Sequence, residues 1–279
     1  MSRRAGIIGH PVAHSLSPVF QEAAFEHCGL DVRYERWDTP QEALEGRVAS
    51  LRDANVLGAN VTIPHKEAVI PFLDELGGLS ARVGAVNTIV NREGRLFGFN
   101  TDGPGFVAAL KNESAFDPSG KAVLLLGAGG AARGIAFALG EAQAAQVSIW
   151  NRSPERAYRL LAELSAAGVR ADWQAAPAAW GYDCIVNCTS VGMESTGTEA
   201  ESPCDFSRAR GEALAVDIVY KPEATTFLKS AKAHNLRTLG GLPMLIYQGA
   251  LAFELWTGAP APVDVMFEAA RKQLGRAER

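Results

Sequence analysis

Short apolar runs alternate with stretches of helical period along most of the chain. In the first hundred residues the order is a strand over Ala5–Ile8, a helix over Pro18–His27, a strand over Val32–Trp37, a helix near Gln41–Arg52 and a strand over Val56–Thr62. Between Ala85 and Phe99 two apolar runs flank Asn91-Arg92-Glu93-Gly94. That turn-forming cluster, ending in glycine, predicts a hairpin near the edge of the first sheet.

From Gly120 the rhythm becomes stricter. Strands are predicted at Ala122–Leu126, Val147–Trp150, Ala171–Trp173, Cys184–Cys188, Leu214–Tyr220 and Arg237–Leu239, with helices over Ala131–Leu139 and Pro154–Ala166 between them. Continuous apolar runs of this length suit strands covered on both faces, and about six of them make a doubly wound sheet. After Gly240 two helices are predicted, Leu242–Trp256 and Pro262–Leu274, with no strand left for a third domain. They are expected to pack back onto the first α/β unit. The fold class is therefore α/β and two-lobed, with residues 1–103 completed by 242–279 as one domain and 104–241 as a Rossmann-type domain. The one soft segment, Glu194–Arg210, mixes Ser, Thr, Gly, Glu and Pro and reads as a surface loop.

Composition narrows the function classes. A length of 279 residues with 47% hydrophobic positions supports two cores rather than one. With 31 acidic against 27 basic residues, there is no cationic excess to neutralise a nucleic-acid backbone. No apolar run approaches the roughly 20 residues of a membrane span. The start, Ser2-Arg3-Arg4 leading into Gly6-Ile7-Ile8-Gly9, has no signal-peptide core, so a cytoplasmic protein is expected. The four cysteines, Cys28, Cys184, Cys188 and Cys204, lack zinc-site spacing, so no metal is expected and buried packing is the favoured reading of Cys184 and Cys188.

The strongest local signal is Gly127-Ala128-Gly129-Gly130-Ala131-Ala132, which follows a predicted strand and opens a predicted helix. Gly127 suits the tight turn, Gly129 lets backbone approach a pyrophosphate, and Ala132 permits close helix packing. The helix N-terminus then offers free N–H groups and the positive dipole end to phosphate. Where an NAD site would show an acid after the second strand, this chain has Asn151-Arg152-Ser153, with Arg156 one turn on. Guanidinium groups there suit a 2′-phosphate, so NADP is the expected cofactor.

The first lobe carries weaker signals. His14-Ser15-Leu16-Ser17-Pro18 reads as a helix start with Ser17 as cap and Pro18 in the first turn. Ser15 adds a second hydroxyl at that helix end, a place for a small carboxylate. Gly58-Ala59-Asn60-Val61-Thr62-Ile63-Pro64-His65-Lys66 puts Asn60 and Thr62 on one strand face and presents Lys66 at the strand's end. Asn87 and Asp102 are polar residues at the edges of apolar runs. His65 follows the strand and points away from Lys66 by alternation, while His10 and His14 read as loop or capping residues.

Taken together these segments identify a resemblance, over nearly the whole length, to the shikimate dehydrogenase family. It rests on His-Ser-Leu-Ser-Pro at 14–18, Gly-Ala-Asn-Val-Thr-Ile-Pro-His-Lys at 58–66, Gly-Ala-Val-Asn-Thr at 84–88 and Asn-Thr-Asp-Gly at 100–103. It continues through Gly-Ala-Gly-Gly-Ala at 127–131, Asn-Arg-Ser at 151–153, Asn-Cys-Thr-Ser-Val-Gly-Met at 187–193, Asp-Ile-Val-Tyr at 217–220 and Gly-Leu-Pro-Met-Leu-Ile-Tyr-Gln at 241–248. The resemblance implies reversible NADPH-linked reduction of 3-dehydroshikimate to shikimate, on the route to aromatic amino acids.

The same resemblance implies Lys66 and Asp102 as the catalytic pair, and Ser15, Ser17 and Tyr220 as ligands of the substrate carboxylate. It implies Asn60, Thr62, Asn87, Asp102 and Gln248 as partners of the ring hydroxyls. On the cofactor side it implicates Gly127, Ala128, Gly129, Gly130 and Ala131, then Asn151, Arg152, Ser153 and Arg156, and finally Ile218 and Gly241. A monomer or homodimer acting on a small molecule is the expected form.

Two positions depart from the family pattern: Gln21 stands where a His is frequent, and Pro243 where a Gly is common. The rival readings are a quinate/shikimate or aminoshikimate dehydrogenase of the same family, and a non-catalytic NADP-binding module on this fold.

Overall fold

The computed structural model describes residues 2–277. Its elements in chain order are β1 (Arg3–Gly9), α1 (Ser17–His27), β2 (Val32–Asp38), α2 (Leu44–Ser50), β3 (Val56–Val61), β4 (Glu75–Leu76), α3 (Ser80–Val83), β5 (Thr88–Arg92) and β6 (Arg95–Phe99). There follow α4 (Asp102–Ser114), β7 (Ala122–Leu126), α5 (Gly130–Glu141), β8 (Gln146–Trp150), α6 (Pro154–Ala166), β9 (Ala171–Trp173), β10 (Cys184–Asn187), β11 (Leu214–Asp217), α7 (Thr226–Ala233), β12 (Arg237–Leu239), α8 (Leu242–Thr257) and α9 (Val263–Ala277). Contacts divide them into two compact units. One comprises the residues up to Thr101 together with those from Ile246 on, and the other runs from Asp102 to Leu245.

In the first unit the sheet order is β2-β1-β3-β5-β6-β4. Strands β2, β1 and β3 are parallel, and β5 returns antiparallel with Asn60 opposite Thr88. The β5–β6 hairpin turns at Glu93 and Gly94, both with positive φ. It lies near the sheet edge, as expected, with the two-residue strand β4 adding outside β6. That strand is too short to leave a periodic signature. Helices α8 and α9 belong to this unit from Ile246 onward. Phe253 of α8 stacks on Phe25 of α1 at 5.1 Å between ring centroids, and the Trp256 indole N–H donates to the Ile89 carbonyl at 2.9 Å. Rings of this size each contribute about 2 kcal/mol by burial, so the C-terminal helices complete this core.

The second unit is a six-stranded sheet ordered β12-β11-β10-β7-β8-β9, parallel at every pairing. This is the doubly wound order in which the direction of strand addition reverses beside the first strand, here between β7 and β10. The central strands β7, β10 and β11 are almost wholly buried, as their unbroken apolar runs predict, while the edge strands β9 and β12 are partly exposed.

Helices α4 and α7 have no counterpart among the expected elements. The first turn of α4 reads Asp102-Gly103-Pro104-Gly105, a sequence that looks like a loop, yet proline is tolerated in a first helical turn. Gly103 lies so close to the Gly134 carbonyl of α5 that a Cβ would collide with it. The packing of α4 on α5 therefore outweighs the poor helix propensity of two glycines. The α7 start is capped by Thr225, whose hydroxyl accepts from the Leu228 N–H at 3.3 Å.

Strand β11 ends at Asp217 rather than at Tyr220. The Asp217 carboxylate is buried and accepts from Thr225 Oγ1 at 2.6 Å, the Val219 N–H at 3.0 Å and Asn187 Nδ2 at 3.0 Å. Asn187 in turn accepts from the Thr189 N–H and hydroxyl through Oδ1. One carboxylate thus holds the chain leaving β10 and the chain leaving β11.

Burial pushes the Asp217 carboxyl up to about 6, against the opposing pull of its three donors. A folded-state value above that of the unfolded chain means that the native state keeps a proton which the unfolded state releases. This group's contribution to stability is full in acid and is lost as pH rises through about 6. Relative to Asp217→Asn, the native protein should lose about 2 kcal/mol of unfolding free energy between about pH 4.5 and about pH 7. Paired denaturant titrations across that range check this, and a pH-independent difference would contradict it.

Candidate active site

In the first unit the predicted polar residues gather where β1, β3 and β5 meet the start of α1 and the body of α8. Ser17 is the first residue of α1 and not its cap: Leu16 occupies the cap position, and no side chain caps it. Instead Ser15 Oγ accepts the Ser17 N–H at 3.2 Å, so it satisfies one of the free donors of the helix start. The Ser15 carbonyl accepts from the Arg36 guanidinium at 3.0 Å. Ser17 is buried and Ser15 half-buried, so two hydroxyls flank one helix N-terminus.

Asn60, Asn87 and Gln248 form one buried network. The Asn87 carbonyl accepts from the Val61 N–H at 2.8 Å and from Asn60 Nδ2 at 3.2 Å, and Asn60 Nδ2 also reaches Thr88 Oγ1 at 3.2 Å. The Asn87 side-chain oxygen accepts the Thr101 N–H at 2.7 Å, while its Nδ2 donates to Gln248 Oε1 at 3.2 Å. Lys66 is half-buried, and its carbonyl is bonded to the Val86 N–H at 2.8 Å, one residue before Asn87. Thr62 is half-buried at the end of the same strand segment, with its N–H on the Ile8 carbonyl.

The histidines fall away from this group. His65 is fully buried with Nε2 on the Thr39 carbonyl at 2.6 Å, and the exposed His10 pairs with Asp38 at 3.1 Å. His14 is exposed in the loop before α1.

Sequence reasoning missed Tyr34, on β2. Its ring is buried 6.1 Å from that of Trp256, and its hydroxyl donates to Asn60 Oδ1 at 2.7 Å. Burial drives its phenol far above the usual range, so the proton stays on the ring oxygen. A tyrosine in a strand is an ordinary β-former, which is why no local pattern marks it. Gln21 is also buried, and its Nε2 donates to the Gly249 carbonyl of α8 at 2.9 Å. It thereby ties α1 to the residue after Gln248.

The second unit holds the remaining predicted residues. Gly127 has φ of 115°, and a Cβ there would sit 3.2 Å from the Cys188 backbone and from Thr189 Cγ2. Only glycine makes this turn without strain. Gly129 is the cap residue of α5, and Gly129 and Gly130 face open space where added Cβ atoms would meet nothing within 4 Å. Ala128, Gly130 and Ala131 are half-buried, and Gly129 is exposed. Arg152 and Ser153 of the loop after β8 and Arg156 of the first turn of α6 are exposed, while Asn151 folds back to donate to the Ser153 carbonyl at 2.8 Å. Gly241 packs against the Ile218 carbonyl too closely to admit a Cβ. The donor set fits a dinucleotide: glycine backbone and a helix N-terminus for pyrophosphate, with guanidinium groups at the end of the second strand.

Asp102, buried as the first residue of α4, and Tyr220, half-buried after β11, also belong to this unit. Burial raises the Tyr220 phenol, with the Lys221 charge opposing. Cys184 and Cys188 are free thiols pushed well above their usual range by burial, which leaves them unreactive.

Comparison with known proteins bears on the same segments. Residues 7–89 match the family model described as the shikimate dehydrogenase substrate binding domain, residues 109–235 match shikimate / quinate 5-dehydrogenase, and residues 241–271 match the shikimate 5'-dehydrogenase C-terminal domain. A shikimate dehydrogenase (NADP(+)) of Thermus thermophilus is 48% identical over 98% of this chain and 99% of its own length. The solved structure of the Thermus thermophilus shikimate 5-dehydrogenase in complex with NADP(H) and shikimate superposes with a TM-score of 0.88, at 47% identity over 97% of this chain and 99% of that one. A quinate dehydrogenase of Corynebacterium glutamicum in complex with NAD gives 0.87, at 29% identity over 97% and 99% of the two chains. With three family models spread along its length and a relative this similar over nearly all of it, the chain belongs to the shikimate dehydrogenase family.

Proposed function

We propose that the protein catalyses the reversible NADPH-linked reduction of 3-dehydroshikimate to shikimate. The observation that carries this reading is the buried Asn60–Asn87–Gln248 network, held next in the chain to Lys66 and Asp102 by the bonds at Val86 and Thr101. A polyol substrate needs several oriented amides, and these three are oriented by backbone partners. Residues 1–103 with 242–279 then serve the substrate and residues 104–241 the cofactor. This reading includes a cytoplasmic setting and a monomer or homodimer.

Ser15 and Ser17 donate hydroxyl protons to the substrate carboxylate at the α1 N-terminus, where the helix dipole favours negative charge, and Tyr220 completes that end. Asn60, Thr62, Asn87, Asp102 and Gln248 hold the ring hydroxyls. Gly127–Ala131, Asn151–Ser153, Arg156, Ile218 and Gly241 would hold NADPH, which would supply the hydride when bound. As charge develops on the carbonyl oxygen, the Lys66 ammonium stabilises it and delivers the proton from Nζ. The Asp102 carboxylate favours the charged amine and orients it. In the oxidative direction Lys66 takes the proton back.

Absorbance of the reduced nicotinamide, followed with shikimate and with quinate at equal NADP+ and NAD+, tests this directly. Turnover with quinate and NAD+ but not with shikimate and NADP+ would overturn it in favour of the quinate-oxidising branch, and silence with every pair would favour a binding module. Lys66→Ala should lower kcat by about 10²- to 10⁴-fold while shikimate still binds, as read by ligand-induced fluorescence change. Arg152→Ala should raise the KM for NADP+ by about tenfold or more and leave that for NAD+ nearly unchanged, since only the former carries the 2′-phosphate.

A further inference from the structure

Two stretches to which the cofactor assignment gives no role, the turn after β10 and the last residue of β11, meet in one buried hydrogen-bond network. The Thr189 N–H can only donate, so the Asn187 atom it faces at 3.0 Å is the side-chain oxygen, which also accepts the Thr189 hydroxyl at 2.6 Å. The Val191 carbonyl can only accept, so the Asn187 group facing it at 3.1 Å is the amide NH2. These two partners agree on one orientation of the amide, and that orientation turns its second N–H onto Asp217 Oδ1 at 3.0 Å. All four hydrogen-bonding positions of the Asn187 side chain are thus filled. Asn187 and Asp217 are both fully buried, so water does not compete for these bonds.

The two Asp217 oxygens differ in what they face. Oδ1 accepts from Asn187 Nδ2 and from the Val219 N–H at 3.0 Å, and neither group can do anything but donate. Oδ2 faces the Thr225 hydroxyl at 2.6 Å, a group able to donate or accept. Only Oδ1 is therefore an obligatory acceptor, and the turn after β10 and the chain after β11 share that one atom. Backbone bonds run alongside: the Ile218 N–H donates to the Asn187 carbonyl at 3.1 Å, and the Cys188 N–H to the Leu126 carbonyl at 2.8 Å. Cys188 and Thr189 in turn back the Gly127 turn, where a Cβ would lie 3.2 Å from the Cys188 backbone and from Thr189 Cγ2.

We propose that Asn187 and Asp217 are positioning residues for the dinucleotide site, with Asp217 Oδ1 as the common acceptor that sets the spacing between the Gly127 turn and Ile218. This rests on the reading above, which gives Gly127–Ala131 and Ile218 to the cofactor. Neither Asn187 nor Asp217 touches the cofactor in this assignment; each acts through backbone that does. Groups that bind a ligand must be held to within about 0.5 Å of their working geometry, and a saturated buried network does that.

Asp217→Leu keeps the branched shape and removes both oxygens. Calorimetric titration without substrate should show the dissociation constants for NADP+ and NAD+ raised by the same factor, about five- to tenfold, since Arg152 and Arg156 lie outside the network. In the cofactor-free variant, amide hydrogen exchange at residues 188–191 and 218–219 should be about tenfold faster than in the wild type, with β8 and α6 unchanged. Asp217→Asn retains Oδ1, and its NH2 can donate to Thr225 Oγ1, so both dissociation constants should stay within about twofold of wild type. A merely structural role predicts lowered thermal stability of Asp217→Leu with unchanged dissociation constants, or the same loss of affinity in both variants. Either result overturns the proposal.

If Asp217→Leu does not fold, Thr189→Val tests the same network with the carboxylate intact. It removes the hydroxyl bonded to Asn187 and should raise both dissociation constants by about threefold. Unchanged constants overturn the proposal. A wild-type protein that binds neither dinucleotide would overturn the functional reading and this proposal together, whereas a wild type that binds, beside variants that bind as well, overturns the proposal alone.

Discussion

The pairing of Asn87 is the constraint on which the first unit turns. A buried amide must satisfy both ends, and Asn87 joins three separate stretches of chain, β3 through its backbone carbonyl, the exit of β6 through Thr101 and α8 through Gln248, while the neighbouring Thr88 hydroxyl donates to its side-chain oxygen. Remove that residue and the strand end carrying Asn60, the approach to Asp102 and the register of α8 lose their common reference. Leaving the partners unpaired in a buried site would cost about 1–3 kcal/mol each, which explains how three amides hold a single orientation.

The second unit solves a different problem with the same means. Its central parallel strands bury both faces, so the polar work is done where they end. Gly127 closes the turn after β7 with a positive φ that would strain any side chain and bring its Cβ within 3.2 Å of the Cys188 backbone, and Asp217 binds the exits of β10 and β11 to each other. The loop that carries Ile218 is shaped by that carboxylate on one side and by the close approach of Gly241 on the other. Backbone at these strand ends is thus held in place by the fold itself, which lowers the entropy cost for any ligand that binds there.

Much of this was legible in the residues. The strand and helix rhythm of the second unit, the glycine turn after β7 and the return of the last two helices to the first unit all follow from local periodicity and from which elements remain unpartnered. The helix α4 was not legible, because Gly103 and Gly105 argue locally for a loop and only the close packing against Gly134 makes a helix favourable there. Ser17 looked like a cap because a hydroxyl preceding Pro18 usually is one. The chain instead starts the helix one residue earlier, and Ser15 takes the bond.

The amino-acid sequence by itself determined the class of fold and the identity of the chemical groups, since apolar period, turn residues and ordered motifs are properties of neighbours along the chain. It also set Asn60, Asn87, Lys66 and Gln248 in their segments. Tertiary structure alone decided which atom of each faces which partner. Donor and acceptor assignment depends on groups far apart in sequence: Tyr34 on β2, Asn60 on β3 and the Asn87 carbonyl ahead of β5 meet only when the sheet forms. A hydrogen bond has a direction, and that direction is fixed by the partner's chemistry rather than by the residue's own neighbours.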